Sequence, residues 1–194
     1  MVLQNLDKYD VILASASPRR HELLRELGIT FRIETRSVEE NYPSGLTEED
    51  IAIHLSELKA ASFEKEFFNE NTLLITADTI VSIDSRILGK PPTREDAINT
   101  LWQLSGKMHR VITGMSIRTR EKEVNFAVNT DVYFKELSEE EIIYYVDQYK
   151  PYDKAGAYGI QEWIGYIGIE KINGSFYNVM GLPVLRLYEE LRKF

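Results

Sequence analysis

Apolar positions along the chain switch between short continuous runs and helical spacing, and small polar caps separate them. Residues 10–15 (DVILAS) form a β-rich run that passes through Ser17-Pro18 into 19–27. There Leu23, Leu24 and Leu27 recur at helical intervals. Pro18 falls near the first turn, where its missing N–H costs nothing, and Gly28 closes the helix as a C-cap. The pattern predicts strand, tight turn, helix. Thr47 followed by Asp50 reads as a cap opening a second helix over 51–67. Apolar runs over 73–77 and 80–83 predict two short strands flanking Asp78-Thr79. The second of them can pair with 86–88 as a hairpin around Asp84-Ser85.

Further along, Thr93-x-x-Asp96 caps a helix running to about Leu104, with Gly106 behind it. Strands are expected near 111–118 and 124–134, around the charged turn 120–123. Ser138-x-x-Glu141 is a capping box for a helix that ends before Pro151. A glycine-dotted stretch, 156–168, leads into a strand over 167–172. Asn173-Gly174 is a hairpin signal, and Pro183 opens the last helix. Helices and strands mix without strict βαβ alternation, so the expected fold class is α/β, a mixed sheet flanked by helices with an antiparallel part. No internal repeat or flexible linker interrupts the pattern, and residues 1–194 are expected to form a single domain of at most two lobes.

Composition narrows the function. With 194 residues, 43% of them hydrophobic, the chain can bury one substantial core. No apolar run approaches the roughly 20 residues that span a bilayer, so no membrane association is expected. Residues 1–9 lack the apolar stretch of a signal peptide. Cysteine is absent, which excludes disulfides and thiolate chemistry, and a cytoplasmic location fits best. The net charge of −8 argues against a nucleic-acid partner, which normally demands a basic face. A pocket, however, responds to charges within a Debye length of about 8 Å, so local clusters of basic residues matter more than the total.

Three stretches carry candidate chemistry. In Ser15-Ala16-Ser17-Pro18-Arg19-Arg20, a strand ends in small hydroxyl residues at a helix start, and two guanidiniums follow. Free N–H groups, the positive helix end and forked arginine donors make an anion site of the phosphate-binding type. The plainer reading is a capped helix with two surface arginines. Asp78 lies between two apolar strands, where a charge is either a turn former or a site carboxylate. The hairpin would carry the chain back so that Lys90, in Gly89-Lys90-Pro91-Pro92, approaches it, as catalytic partner or as structural salt bridge. The third stretch, Asp153 to Gln161 (DKAGAYGIQ), has small residues that let backbone approach a ligand closely. It reads equally as a packing loop. Gln161 ends it on a buried-looking segment, where an amide needs partners.

Taken together, SASPRR, ADTIV, GKP, LSGKMHRVITG, DKAGAYGIQ and NVMGLP resemble the Maf family of nucleoside triphosphate pyrophosphatases in order and rough spacing, from about Ile12 to Leu187. The resemblance implies hydrolysis of a nucleoside triphosphate to the monophosphate and pyrophosphate. The glutamine of GIQ resembles the subfamily acting on dTTP and UTP. The sister subfamily acting on 7-methyl-GTP typically has glutamate there. Position by position, the resemblance implies that Asp78 is the proton acceptor and that Arg19, Thr79 and Gln161 set specificity. It implies pocket roles for Ser15, Arg20, Glu40, Lys59 and Lys90. It also implies a divalent cation (Mg²⁺ or Mn²⁺), a fold related to the inosine-triphosphate pyrophosphatases with two lobes around a substrate cleft, and a homodimer. Glu40 and Asp78 are oxygen ligands of the kind hard cations take. From sequence, Asp78 is open to either role, base or ligand.

The amide of Gln161 can match a pyrimidine edge, donating to O4 and accepting from N3–H, whereas an ionised carboxylate only accepts. Two rival readings stand beside the first: the same hydrolysis on 7-methyl-GTP or another modified nucleotide, and a non-catalytic nucleotide-binding regulator of cell division. Glu162-Trp163-Ile164 departs from the small residues of many relatives, and Trp163 is expected to pack into the core. His21, His54 and His109 show no metal-ligand spacing and are expected at surface or helix positions. Tyr144, Tyr145 and Tyr149 are expected to pack along a helix.

Overall fold

The computed structural model describes residues 3–194; Met1 and Val2, the first two residues of the segment read as lacking a signal peptide, lie outside it. A 3-10 turn (Gln4–Leu6) precedes β1 (Asp10–Leu13), α1 (Pro18–Glu26), β2 (Arg32–Ile33) and α2 (Glu48–Ala61). After a second 3-10 turn (Lys65–Phe67) come β3 (Thr72–Ile83), β4 (Arg86–Leu88), α3 (Arg94–Leu104), β5 (Met108–Arg118) and β6 (Glu123–Phe134). Next are α4 (Glu139–Tyr149), a third 3-10 turn (Ala155–Ala157), α5 (Trp163–Gly168), β7 (Ile169–Asn173), α6 (Phe176–Met180) and α7 (Val184–Leu191). The strands form one seven-stranded mixed sheet in the order β2-β1-β3-β5-β6-β7, with β4 paired to β3. Among the described residues no helix is long and apolar enough to cross a membrane.

The α/β expectation is therefore met, with several local corrections. Residues 73–77 and 80–83 are not separate strands. β3 is continuous through Asp78-Thr79, and Asp78 is itself buried. A polar pair looked like a break because sequence pattern does not show the cation that makes a buried carboxylate tolerable. The second helix stops at Ala61 rather than running to 67. The Ser62 hydroxyl donates to the Lys59 carbonyl at 2.7 Å, competing with the backbone, and Phe63 and Phe68 are buried on leaving the helix axis. The expected strand over 167–172 begins only at Ile169, because 163–168 is helical despite its glycines. Asn173-Gly174 does not form a hairpin. Gly174 has φ 133°, and a Cβ there would lie 2.7 Å from the Thr130 hydroxyl, so the turn delivers the chain into α6.

Other local signals hold. Thr47, Thr93 and Ser138 cap α2, α3 and α4 through their side chains, and Ser138 with Glu141 makes the full capping box. β3 and β4 pair antiparallel, Val81 opposite Leu88, around Asp84 and Ser85 with φ of 50° and 61°. Two left-handed residues are what a two-residue hairpin turn of matching twist requires.

The chain divides into two compact units. One comprises residues up to Asp78, with Thr113–Val128 and Gly181–Phe194; the other is Thr79–Ile112 with Asn129–Met180. In the first, β1 pairs in parallel with both β2 and β3. Ile12, Ala60, Phe63, Phe68 and Leu74 are buried together. Here α2 lies directly on the backbone of β5, since a Cβ on Gly114 would come within 2.0 Å of the Ala52 carbonyl oxygen. Only glycine permits that approach. In the second unit, α3, α4 and α5 contribute Leu101, Leu104, Ile142, Tyr145 and Ile164 to a core shared with Val81, Val132 and Phe134. Trp163 packs against this core, as expected, and meets Tyr144 edge-on.

His109 belongs to the second unit's interior rather than to a surface. It is 1% exposed, its Nε2 lies 2.7 Å from the Tyr158 hydroxyl, and it meets Phe134 and Tyr158 edge-on. Its Nδ1 is buried without a hydrogen-bond partner among the described residues. Burial lowers its pKa to about 4. The unfolded chain takes up a proton near pH 6.5 that the folded chain refuses until about pH 4, so the folded state loses stability as pH falls through that window. We expect His109→Gln to remove about 3 kcal/mol of the stability lost between pH 7 and pH 4, by urea unfolding at each pH. Superimposable pH profiles for the two proteins would refute this.

Candidate active site

In the first unit, β1 runs alongside β3, with Leu13 opposite Ile75 and the Ala14 N–H donating to the Ile75 carbonyl at 2.9 Å. This sets the end of β1 beside the segment that leads to Asp78. Ser15 is buried there, and its hydroxyl accepts from the Ser17 N–H at 3.2 Å, ahead of α1 with Pro18 at its start. The first stretch is thus a strand-turn-helix, as the sequence predicts.

Arg20, one turn into α1, points back at the sheet. Its Nε donates to the Gly181 carbonyl at 2.7 Å. Its Nη1 donates to the Ala77 carbonyl at 2.8 Å and to the Ser15 hydroxyl at 3.4 Å. One guanidinium thereby ties α1, the end of β1, the residue before Asp78 and the approach to α7 together. Burial is the largest influence on it and lowers its basicity; Asp78 opposes this, Arg19 adds to it and Glu40 opposes it. Those three charges therefore all act on Arg20.

The pattern of β3 aims Thr76 and Asp78 at the same neighbour. Alternate strand residues share a face, and the Thr76 hydroxyl donates to the Ser56 carbonyl of α2 at 2.7 Å. Two residues on, Asp78 accepts through Oδ1 from the Lys59 ammonium, also on α2, in a short contact. Lys59 pairs at the same time with Glu40 Oε1 at 2.9 Å. Asp78 is 7% exposed, and two carboxylates share one ammonium. Ser15, Arg20, Glu40, Lys59 and Asp78, singled out from sequence, are brought together here, with Arg19 beside Arg20 on α1.

Among the described residues no group of three or more histidine, aspartate or glutamate side chains gathers as a ready metal cage. Two converging carboxylates, Glu40 and Asp78, are nonetheless what a hard cation needs when it also takes oxygens from a bound phosphate. The carboxylate oxygens of Glu40 and Asp78 are of the class that Mg²⁺ or Mn²⁺ would take.

Thr79, Lys90 and Gln161 belong to the second unit. Thr79 follows Asp78 on β3 with its side chain on the opposite face. Lys90 is exposed, two residues beyond the β4 position that pairs with Val81. The loop ending at Gln161 docks against this hairpin. The Gly156 N–H donates to the Gly89 carbonyl at 3.4 Å, and a Cβ on Gly156 would meet Val81 at 3.0 Å. Gly156 and Ala157 both have positive φ, 71° and 58°. The Oε1 of Gln161 is buried and accepts no hydrogen bond from a described residue. A buried acceptor left open costs about 1–3 kcal/mol, and a ligand donor would recover that.

The sequence reading passed over the group that anchors this loop. Glu162, Tyr145 and Lys154 join in a mostly buried network: the Tyr145 hydroxyl donates to Glu162 Oε2, and the Lys154 ammonium lies 3.2 Å from Oε1. A buried-looking lysine inside DKAGAYGIQ, with a carboxylate directly after the motif, is the signal that could have found it.

The family profile described as Maf-like protein matches residues 10–194. This chain belongs to the Maf family. It is 53% identical over 193 residues to the dTTP/UTP pyrophosphatase of Bacteroides thetaiotaomicron, a match covering 99% of this chain and all of that protein. It is 52% identical to the dTTP/UTP pyrophosphatase of Parabacteroides distasonis over the full length of both. With that of Porphyromonas gingivalis the identity is 51%, covering all of this chain and 98% of the relative. Among solved structures, the Ham1 protein of Staphylococcus aureus aligns with 64% of this Maf chain and 71% of its own, at a TM-score of 0.46 and 14% identity.

Within this Maf site, Arg20 is a tie as much as a charge, and its geometry yields a stability prediction. Arg20→Lys keeps one positive charge but cannot serve the Gly181 and Ala77 carbonyls in two directions. A loss of about 1–3 kcal/mol in denaturant unfolding is expected; unchanged stability would refute the structural part of its role.

Proposed function

We propose that this chain hydrolyses dTTP and UTP to the nucleoside monophosphate and pyrophosphate. The relatives sharing about half its residues along the whole length carry that activity in their names. The observation that carries the reading is the Lys59 ammonium shared by Asp78 and Glu40, on the strand segment that Arg20 ties to α1.

Hydrolysis requires a water to attack the α-phosphorus while its bond to the bridging oxygen breaks and pyrophosphate leaves. Lys59 engages Oδ1 of Asp78, so Oδ2 takes the proton of the attacking water. The cationic ends of Arg19, Lys59 and Lys90 meet the phosphate oxygens and offset the charge that builds on the leaving group. Ser15 and the start of α1 add N–H and hydroxyl donors. Arg20 contributes its charge while holding Ala77 and so the strand that presents Asp78. Glu40 and Asp78 would hold a divalent cation, Mg²⁺ or Mn²⁺, which when bound supplies further neutralisation of the phosphates.

Gln161 selects the base. Its buried Oε1, open among the described residues, accepts from N3–H of uracil or thymine, and its amide nitrogen donates to O4. Thr79 supports specificity from β3. The location we assign is the cytoplasm, with free nucleotides as substrates, no nucleic-acid partner, and a homodimer as the assembly.

The decisive assay is pyrophosphate release from dTTP, UTP, CTP, ATP, GTP and 7-methyl-GTP with Mg²⁺ or Mn²⁺, repeated with chelator. Highest release from dTTP or UTP, abolished by chelation, is expected. Release highest from 7-methyl-GTP would replace the substrate, and binding without any release would make the protein a nucleotide-binding regulator. In the same assay Asp78→Asn should lower kcat by about 10²–10⁴-fold while nucleotide affinity changes little. Wild-type turnover by that variant would remove Asp78 from the chemistry.

Gln161→Glu replaces a donor–acceptor pair with acceptors alone. Its kcat/KM for dTTP should fall by about 10–100-fold relative to 7-methyl-GTP. Discrimination equal to wild type would show that the base is read elsewhere.

A further inference from the structure

Gln161 sits in a turn whose closure is more heavily built than a packing loop requires. The Glu162 N–H donates to the Gly159 carbonyl at 3.0 Å, which makes Ile160 and Gln161 the two central residues of a four-residue turn. The same turn is closed a second time by side chains. The Tyr145 hydroxyl accepts from the Gly159 N–H at 3.0 Å and donates to Glu162 Oε2, so one phenol grips both ends of the turn. Tyr145 is fully buried on α4, and burial together with the Glu162 carboxylate pushes its hydroxyl far above the usual phenol range, keeping it a donor. Lys154, at the other end of the loop, is buried too, and its ammonium lies 3.2 Å from Glu162 Oε1 and 2.8 Å from Asp153 Oδ1. A Cβ on Gly159 would fall 2.8 Å from the Glu162 carboxyl carbon, so the glycine makes room for this arrangement.

Each oxygen of the Glu162 carboxylate is thus held from a different part of the unit, one from α4 and one from the start of the loop. Loss of either partner removes part of the side-chain closure and leaves the turn to rely more on its backbone hydrogen bond from Glu162 to Gly159. The geometry points to Glu162, held by Tyr145 and Lys154, as the positioning residue that fixes the Gln161 amide for base selection. This rests on Gln161 reading the base. Glu162 touches no phosphate and no base in this role. It sets the orientation of an amide whose two ends must face a donor and an acceptor at once, where a misplacement of about 1 Å is costly.

The test compares Glu162→Gln, Glu162→Ala, Tyr145→Phe and Gln161→Ala with the wild type. KM and kcat are measured for dTTP, UTP and CTP, and a thermal melt of each variant is recorded. Glu162→Ala and Tyr145→Phe should raise KM for dTTP and UTP by about 5–20-fold with kcat within about threefold. The dTTP-over-CTP ratio of kcat/KM should narrow by about fivefold or more. Glu162→Gln retains an acceptor for the phenol and should restore most of the ratio, which a role in general packing does not predict. Wild-type KM and ratio in Tyr145→Phe and Glu162→Ala, with the ratio lost in Gln161→Ala, would overturn the positioning role and leave the base reading intact. A ratio retained by Gln161→Ala would overturn both. A loss of kcat equal for all three nucleotides would overturn the positioning role alone. Should Glu162→Ala not fold, the milder Tyr145→Phe and Glu162→Gln decide by the same criteria.

Discussion

A carboxylate in the middle of a buried strand needs a cation, and much of the first unit is arranged to supply one. Removing water from Asp78 without compensation would cost several kcal/mol. Lys59 meets that demand from α2, and α2 can reach because Gly114 leaves its backbone free to touch the helix. Arg20 then fixes the same stretch of β3 from the other flank through the Ala77 carbonyl. The helix, the strand and the loop before α7 hold their places around a charge that an apolar residue would have made unnecessary. Asp78 is the buried carboxylate of this strand, and that cost is met by Lys59 with Arg20 at its flank.

The same arrangement explains how an acidic chain handles an anionic substrate. Part of the negative charge lies on helix starts such as Glu48-Glu49-Asp50 and Glu139-Glu140-Glu141, where the helix dipole favours it. The cations, by contrast, gather where β1 gives way to α1 and where α2 faces β3. The overall balance of −8 sets solubility, and the local balance sets what the pocket attracts.

Capping boxes, the strand-turn-helix at Ser15 to Arg20 and the hairpin at Asp84-Ser85 were legible in the sequence, because each is a local device with a local signature. What was not legible depended on distant partners. The continuity of β3 through Asp78 depends on Lys59, 19 residues earlier. The early end of α2 depends on where Phe63 and Phe68 find a core, and helix α5 forms across glycines that pattern alone reads as loop. His109 looked like a surface residue because nothing nearby in sequence announces Tyr158. For the candidate site, residue types and spacing suggested three separate stretches, and the likeness to a family joined them. The anchoring role of Glu162 was not legible because its partners, Tyr145 and Lys154, lie eight or more positions away in sequence.

Each of the two compact units is assembled from separate stretches of the chain. The chain passes between them at 78–79, 112–113, 128–129 and 180–181, and three of those crossings fall inside β3, β5 and β6. Neither unit corresponds to a continuous stretch of gene. Recombination cannot exchange one for a relative's version with a single crossover, and a shuffled half would interrupt strands in mid-course. Change in such a protein is therefore expected to proceed by point substitutions within the interleaved segments rather than by exchange of a whole unit.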